Sequence, residues 1–142
     1  MIIAHITSEK IHSTSSDAFS LFEKSRFGEK SRDRIEYSWV EALFLASNNK
    51  MQLLSKNKEI SFEKAINIAK KHDKRIETKL TLFEDLRNKG YVIKTALKFG
   101  ADFRIYKKGS MPGQDHALWL AYAVRESEPH TWNHFAAKNR DA

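Results

Sequence analysis

The first half of the chain alternates apolar with polar segments, a pattern that predicts small helices and strands. Apolar segments at 2–6 and 51–54 are short enough to form strands. Three helical patterns begin just after a serine, the position at which a hydroxyl caps the free N–H groups of a first turn. These capping serines are Ser15 or Ser16, Ser38 and Ser61.

The pattern changes after the polar run 70–75, which contains no apolar residue and is predicted to be a boundary between two modules. A helix follows, with Gly90 at the position where a left-handed C-terminal residue belongs. Strand patterns come next, at 91–93, 101–106 and 116–124, and the last of these is apolar almost throughout.

Together these elements predict an α+β fold with two modules, a helical and β N-terminal module at 1–74 and a mixed-sheet domain at 75–142. The composition agrees, since 41% of the 142 residues are apolar and 30% are charged, as in globular proteins. The chain has no cysteine, which excludes disulfides and thiol catalysis. We find neither a signal-peptide pattern nor a run long enough for a transmembrane helix. We expect a cytoplasmic protein with no membrane as its partner.

The charge balance indicates which class of partner the protein would bind. Lysine and arginine number 25 against 18 aspartates and glutamates, a formal net charge of +7. A basic protein of this kind favours polyanions, with nucleic acid first and an anionic membrane second. The alternative is a globular protein that is basic without having such a partner.

The candidate catalytic residues flank the loop between two predicted strands. Tyr106 ends one strand and His116 begins the next, so a hairpin would bring both side chains to one edge of the sheet. An imidazole titrates near neutral pH, whereas a phenol acts as a base only when cations stabilise the phenolate. Arg104, Lys107 and Lys108 can supply part of that field. The same positions also suit a packing tyrosine and a histidine that caps a strand, with no catalytic role.

No metal or cofactor is expected. His130 and His134 have the spacing of a metal-binding pair on a helix, but no third ligand is spaced to support them. We interpret these histidines and the remaining ones, His116 excepted, as surface residues.

Two motifs resemble a known family. The segment Leu97-Lys98-Phe99-Gly100-Ala101-Asp102-Phe103-Arg104-Ile105-Tyr106, followed by a loop and His116, is similar to the catalytic domain of archaeal tRNA-splicing endonucleases. There, a strand reading K-F-G-A-D-F-R-x-Y leads through a loop to a histidine. Phe27-Gly28 and the segment from Ser38 to Leu45 resemble the N-terminal module of the same family. The resemblance covers nearly the whole chain.

The resemblance implies roles for named residues. Tyr106 corresponds to a general base and His116 to a general acid, in a cleavage that uses no metal and leaves a 2′,3′-cyclic phosphate and a 5′-hydroxyl. Arg140 resembles an arginine that stacks on a flipped-out bulge base. Arg140-Asp141-Ala142 matches the start of a helix whose lysine steadies the transition state in the family. That lysine is therefore expected a few residues beyond Ala142.

The implied substrate is precursor tRNA with a bulge-helix-bulge, cut at both intron boundaries. The implied assembly is a homotetramer or a two-subunit heterotetramer, because one chain has one site and an intron has two ends.

Two alternative functions remain. One is a non-catalytic structural or RNA-binding subunit of the endonuclease complex, which the missing lysine favours. The other is a general basic RNA-binding domain, which would bind bulged and plain duplexes equally.

Overall fold

The computed structural model describes residues 1–8, 10–95, 102–109, 111–112, 117 and 119–121. The chain divides into two compact units, Met1–Glu77 and Thr78–Ala142. Each unit has a β-sheet of its own.

The first unit contains one mixed sheet and several helices. Its elements are β1 (Ile2–Thr7), β2 (Lys10–Ser13), α1 (Ser16–Ser25), β3 (Glu29–Ser31), β4 (Arg34–Tyr37), α2 (Trp39–Ser47), β5 (Met51–Ser55), β6 (Lys58–Glu59) and α3 (Phe62–His72). The strand order is β3-β4-β2-β1-β5-β6. β1 and β5 run parallel, and every other neighbouring pair in this sheet is antiparallel.

The core of the first unit lies on one face of this sheet, because alternate side chains of a strand point to opposite faces. α1 packs against β1 and β4, and α2 packs against β5 and α3. The strand residues that supply this core are Ile2, Ala4, Ile11, Ile35, Tyr37, Met51 and Leu53. Residues of the other face, such as His5 and His12, stay half-buried.

Local hydrogen bonds explain where the helices begin. The hydroxyl of Ser38 accepts from the N–H of Glu41, and the Glu41 carboxylate accepts from the N–H of Ser38 at 3.1 Å, which confirms the predicted capping box. The hydroxyl of Ser61 caps α3 in the expected way. Ser15 precedes α1, but its hydroxyl makes no capping bond and instead accepts from the N–H of Ile3 at 3.0 Å.

The second unit contains an antiparallel sheet and most of a helix. Its elements are α4 (Ile76–Asn88), which begins two residues before the unit does, β7 (Val92–Thr95), β8 (Phe103–Tyr106) and β9 (Trp119–Ala121). β8 is the central strand. Gly90 has the predicted left-handed conformation, with φ of +97°. Among the residues described here, no helix is long and apolar enough to cross a bilayer.

The sheet of the second unit packs on α4 through aromatic side chains. The rings of Phe83 and Phe103 lie 5.8 Å apart at 56°, a tilted arrangement that aromatic pairs favour. Phe103 and Ile105 are both buried, as the alternation along β8 predicts. Arg104 and Tyr106 therefore share the opposite face of the strand.

Candidate active site

Tyr106 is the last residue of the central strand β8. Its pairing partner on β7 is Val92, and its side chain is 3% exposed. β7 and β9 both hydrogen-bond to β8, which fixes the backbone of the strand from which the phenol projects.

The hydroxyl of Tyr106 is held by a cation. Nη1 of Arg104 donates to the Tyr106 oxygen at 3.1 Å, and the guanidinium carbon lies 5.8 Å from the centre of the phenol ring. Nε of the same arginine donates to the carbonyl oxygen of Thr95 at 2.8 Å. One end of the guanidinium is thus tied to the β7 backbone while the other contacts the phenol.

The charge of Arg104 is not neutralised within the described part of the chain, where no carboxylate pairs with it. The nearest acidic residue in sequence is Asp102, which pairs with Lys79 at 3.7 Å. A guanidinium stays protonated at all ordinary pH values. The phenol of Tyr106 therefore has a permanent positive charge within hydrogen-bonding distance.

A second cation lies on the same face of the sheet. Lys94 is the pairing partner of Arg104, so the two side chains project to one side of the antiparallel pair. Lys94 is 4% exposed, which is rare for lysine. Lys94 was not predicted from the sequence as a site residue, because only the register of β7 against β8 brings it opposite Arg104.

Lys107 and Lys108 follow Tyr106 directly and are exposed. We expected them, with Arg104, to contribute to the field around the phenol. Of these three cations, Arg104 is the one that donates a hydrogen bond to the phenol oxygen. Arg104 is therefore the principal local cation of the three.

The hairpin predicted for Tyr106 and His116 is confirmed at the level of its strands. β8 and β9 pair antiparallel, with Ile105 opposite the backbone of Trp119. His116 and Arg140 lie outside the described residues, as do the histidines at 130 and 134. The meeting of Tyr106 and His116 stays a prediction. Within the described ranges, no three His, Asp or Glu side chains are arranged to hold a metal ion.

Both units match models of known domains. Residues 2–66 match the tRNA intron endonuclease N-terminal domain, and residues 76–142 match the tRNA intron endonuclease catalytic C-terminal domain. The chain belongs to the tRNA intron endonuclease family. Its fold class is the α+β architecture that the sequence predicts, and its family is one of endonuclease enzymes.

Relatives of this endonuclease family member come from several archaea. The chain is 31% identical to the tRNA-splicing endonuclease of Pyrococcus abyssi over 139 residues, which cover 97% of this chain and 79% of the relative. It is 32% identical to the tRNA-splicing endonuclease of Pyrococcus furiosus with the same coverage. A similar protein from Methanothermobacter thermautotrophicus is 34% identical over 76% of this chain and 62% of the relative.

The cluster around Tyr106 falls within the segment that matches the catalytic domain. Arg104, Tyr106 and Lys94 all belong to the strands of that segment. In this endonuclease, the arrangement offers a phenol that can lose a proton and fixed positive charge beside it. Such a pair suits proton abstraction from a hydroxyl group.

Proposed function

We propose that this endonuclease cleaves precursor tRNA at its intron boundaries, with Tyr106 as general base and His116 as general acid. The observation that carries the proposal is the hydrogen bond from Arg104 to the Tyr106 hydroxyl, 3.1 Å long, inside the segment that matches the catalytic domain. The relatives named tRNA-splicing endonucleases support tRNA as the substrate.

The reaction needs two proton transfers and no metal ion. Tyr106, as phenolate, removes the proton of the ribose 2′-hydroxyl next to the scissile phosphate. The 2′-oxygen forms a bond to phosphorus, and the bond from phosphorus to the 5′-oxygen breaks. His116 donates a proton to that departing oxygen. The products are a 2′,3′-cyclic phosphate and a 5′-hydroxyl.

Arg104 makes the first transfer feasible. A hydrogen bond from a charged donor favours the phenolate over the neutral phenol, whereas burial opposes the phenolate. Because only 3% of Tyr106 is exposed, the mechanism requires RNA binding to give the ribose access to a phenol that is covered in the free protein.

The RNA is recognised by its shape. A bulge-helix-bulge displays splayed bases and an irregular backbone, which proteins read by stacking and phosphate contacts more than by base-edge hydrogen bonds. Arg140 is proposed to stack on a flipped-out bulge base through its planar guanidinium. The proposed enzyme is a homotetramer or a two-subunit heterotetramer.

The test is cleavage of an intron-bearing precursor tRNA in the presence of a chelator, by the wild-type chain and by Tyr106→Phe and His116→Ala. Loss of either proton-transfer group is expected to slow cleavage roughly 10²- to 10⁴-fold. The products should carry cyclic phosphate ends. Cleavage that disappears with the chelator, or that both variants retain, would contradict the mechanism.

A second candidate is a non-catalytic subunit that supports a catalytic partner. The specific observation in its favour is the low exposure of Tyr106, since a phenol used only for packing would also be covered. In that case the purified chain binds precursor tRNA without cutting it, and His116→Ala has no effect when a catalytic partner is added. A general RNA-binding domain would bind bulged and plain duplexes with equal affinity.

A further inference from the structure

Positive charge is unevenly distributed within the first unit. Residues 1–63 contain nine lysines and arginines and nine aspartates and glutamates, so this part is electrically balanced. Residues 64–75 contain five lysines and arginines and a single acidic residue, Asp73, and Glu63 precedes them in the first turn of α3. α3 and the turn that follows it therefore hold five basic and two acidic residues, so the excess positive charge of the unit is concentrated there.

Part of this charge has an ordinary structural explanation, but Lys64 does not. Cations in the last turn of a helix interact favourably with the helix dipole, which accounts for Lys70, Lys71 and His72. Lys64 is in the first turn of α3, at the third helical position, where the dipole disfavours a cation. The corresponding position of α2 holds Glu41, the residue that a capping box requires.

Three of these lysines are available to a ligand. Lys64, Lys71 and Lys74 are exposed, and none of them has an ion-pair partner among the described residues. Lys70 differs, because its ammonium group pairs with Glu77 at 3.3 Å. We call Lys64, Lys71 and Lys74 the α3 basic surface.

An aromatic contact fixes the end of α3 that bears Lys71. The rings of His72 and Trp39 lie 5.9 Å apart at 24°, in a stacked arrangement that joins the last residue of α3 to the first of α2. α2 and α3 also pack against each other. Lys71 is therefore held on a rigid element, so little backbone entropy is lost when it binds a ligand.

We propose that the α3 basic surface binds the RNA backbone, at a site separate in sequence from Tyr106. RNA as the ligand rests on the proposed function. Lys64 and Lys71 are seven residues apart, about 10 Å along the helix, so their ammonium groups contact different phosphates. Exposed ammonium groups suit phosphate contacts that add affinity without reading sequence.

The test is the salt dependence of binding. The probe is an intron-bearing precursor tRNA, and His116→Ala is the background in every protein to prevent cleavage. One variant carries Lys64→Gln, Lys71→Gln and Lys74→Gln. The matched control carries Lys30→Gln, Lys50→Gln and Lys58→Gln, which removes the same charge from exposed positions on other elements. Gln suits the third helical position, so the first variant is expected to fold.

Each lost phosphate contact lowers the slope of log affinity against log salt by about 0.9. The variant of the α3 basic surface is therefore expected to lose about two to three units of slope and at least tenfold in affinity at low salt. The control should keep the wild-type slope within about half a unit. Equal losses in both variants would show a general effect of net charge, and unchanged binding by the first variant would exclude the surface; either result overturns the proposal.

Cleavage by the same lysine variants without the His116→Ala change separates this proposal from the proposed function. If the chain never cuts RNA but its binding depends on the α3 basic surface, the proposed binding site is supported and the nuclease mechanism is refuted. If the three substitutions change neither cutting nor the salt slope, the nuclease mechanism is supported and the proposed binding site is refuted.

Discussion

At the scale of single residues, Glu41 joins two of the motifs on which the family resemblance rests. It is 4% exposed, and its carboxylate accepts from the N–H of Ser38 at 3.1 Å and from the N–H of Gly28 at 2.9 Å. Gly28 has φ of +85°, and a Cβ there would lie 2.3 Å from Cγ2 of Ile35. Only glycine fits this position. Gly28 and Glu41, one residue from each motif, therefore both have a structural reason for their identity.

The capping box of Ser38 and Glu41 could be predicted from the sequence because its bonds join residues three apart. The bond from Gly28 to Glu41 spans thirteen residues, and no local pattern encodes it. The same limit applies to the active site. Tyr106 and Arg104 are two residues apart on one strand and were both singled out, whereas Lys94 reaches their face only through the pairing of β7 with β8.

The contact between Arg104 and Tyr106 leads to a prediction about pH. Arg104→Gln removes the cation that favours the phenolate, so the pH dependence of cleavage should move to higher pH. Cleavage at neutral pH should fall about tenfold, and Arg104→Lys should recover part of it. The measurement is single-turnover cleavage of precursor tRNA from pH 6 to 10.

Lys107→Gln is the matched control, since it removes one positive charge from the residue next to Tyr106. Its pH profile should coincide with that of the wild type. A profile for Arg104→Gln that is lower at every pH but unshifted would mean that the arginine only positions the strand.

At the scale of elements, the strands that were not predicted from the sequence are strands with few apolar residues. β2, β3 and β4 fall in segments for which no strand was predicted. Each is three or four residues long, and β3 has no buried residue. β2 and β4 are strands because Ile11 and Ile35 reach the core, and β3 is a strand because it pairs with β4. A two-residue period needs several apolar positions to be recognised, whereas β2 and β4 supply one or two and β3 supplies none.

The polar face of that sheet contains a stacked histidine pair. His5 and His12 are pairing partners on β1 and β2, and their rings lie 5.8 Å apart at 29°. Burial lowers the pKa of His12, and the charges of Arg34 and His5 lower it further, while Glu36 opposes them. Nδ1 of His12 is buried and has no hydrogen-bond partner in the described part of the chain.

This lowered pKa predicts a loss of stability in mild acid. The unfolded chain binds a proton at His12 near its ordinary pKa of 6.5, before the folded protein does. The free energy of unfolding should therefore fall as pH drops from 7.5 to 5.5, and His12→Gln should show a smaller fall. The carboxyl groups with lowered pKa, Asp17 and Glu36, contribute only at lower pH, since their ordinary values are 3.8 and 4.5.

Urea unfolding of both proteins at the two pH values measures the difference. A fall of the same size in His12→Gln would assign the acid sensitivity to other groups. A rise in stability on acidification of the wild type would mean that Glu36 outweighs burial and the two cations around the imidazole.

At the scale of the whole molecule, the proposed reaction sets a requirement on assembly that one chain cannot meet. An intron has two ends, and each chain has one Tyr106. Two cuts in one binding event therefore need at least two active chains in one particle. Four copies of the 16.5 kDa chain would give a particle of about 66 kDa, which native mass spectrometry can identify directly.

Mixed particles would reveal whether the two cuts come from different chains of one assembly. Wild-type and His116→Ala chains with different tags are co-expressed, and particles that contain both are isolated by sequential affinity steps. Such particles should accumulate precursor tRNA with a single break, because a boundary that meets an inactive chain stays intact while a boundary that meets a wild-type chain is cut. Wild-type particles should release the intron with little singly cut RNA. If the chains act independently, wild-type and mixed preparations would both pass through singly cut RNA and go on to complete excision, the mixed one at a reduced rate, and the shared-particle mechanism would be wrong.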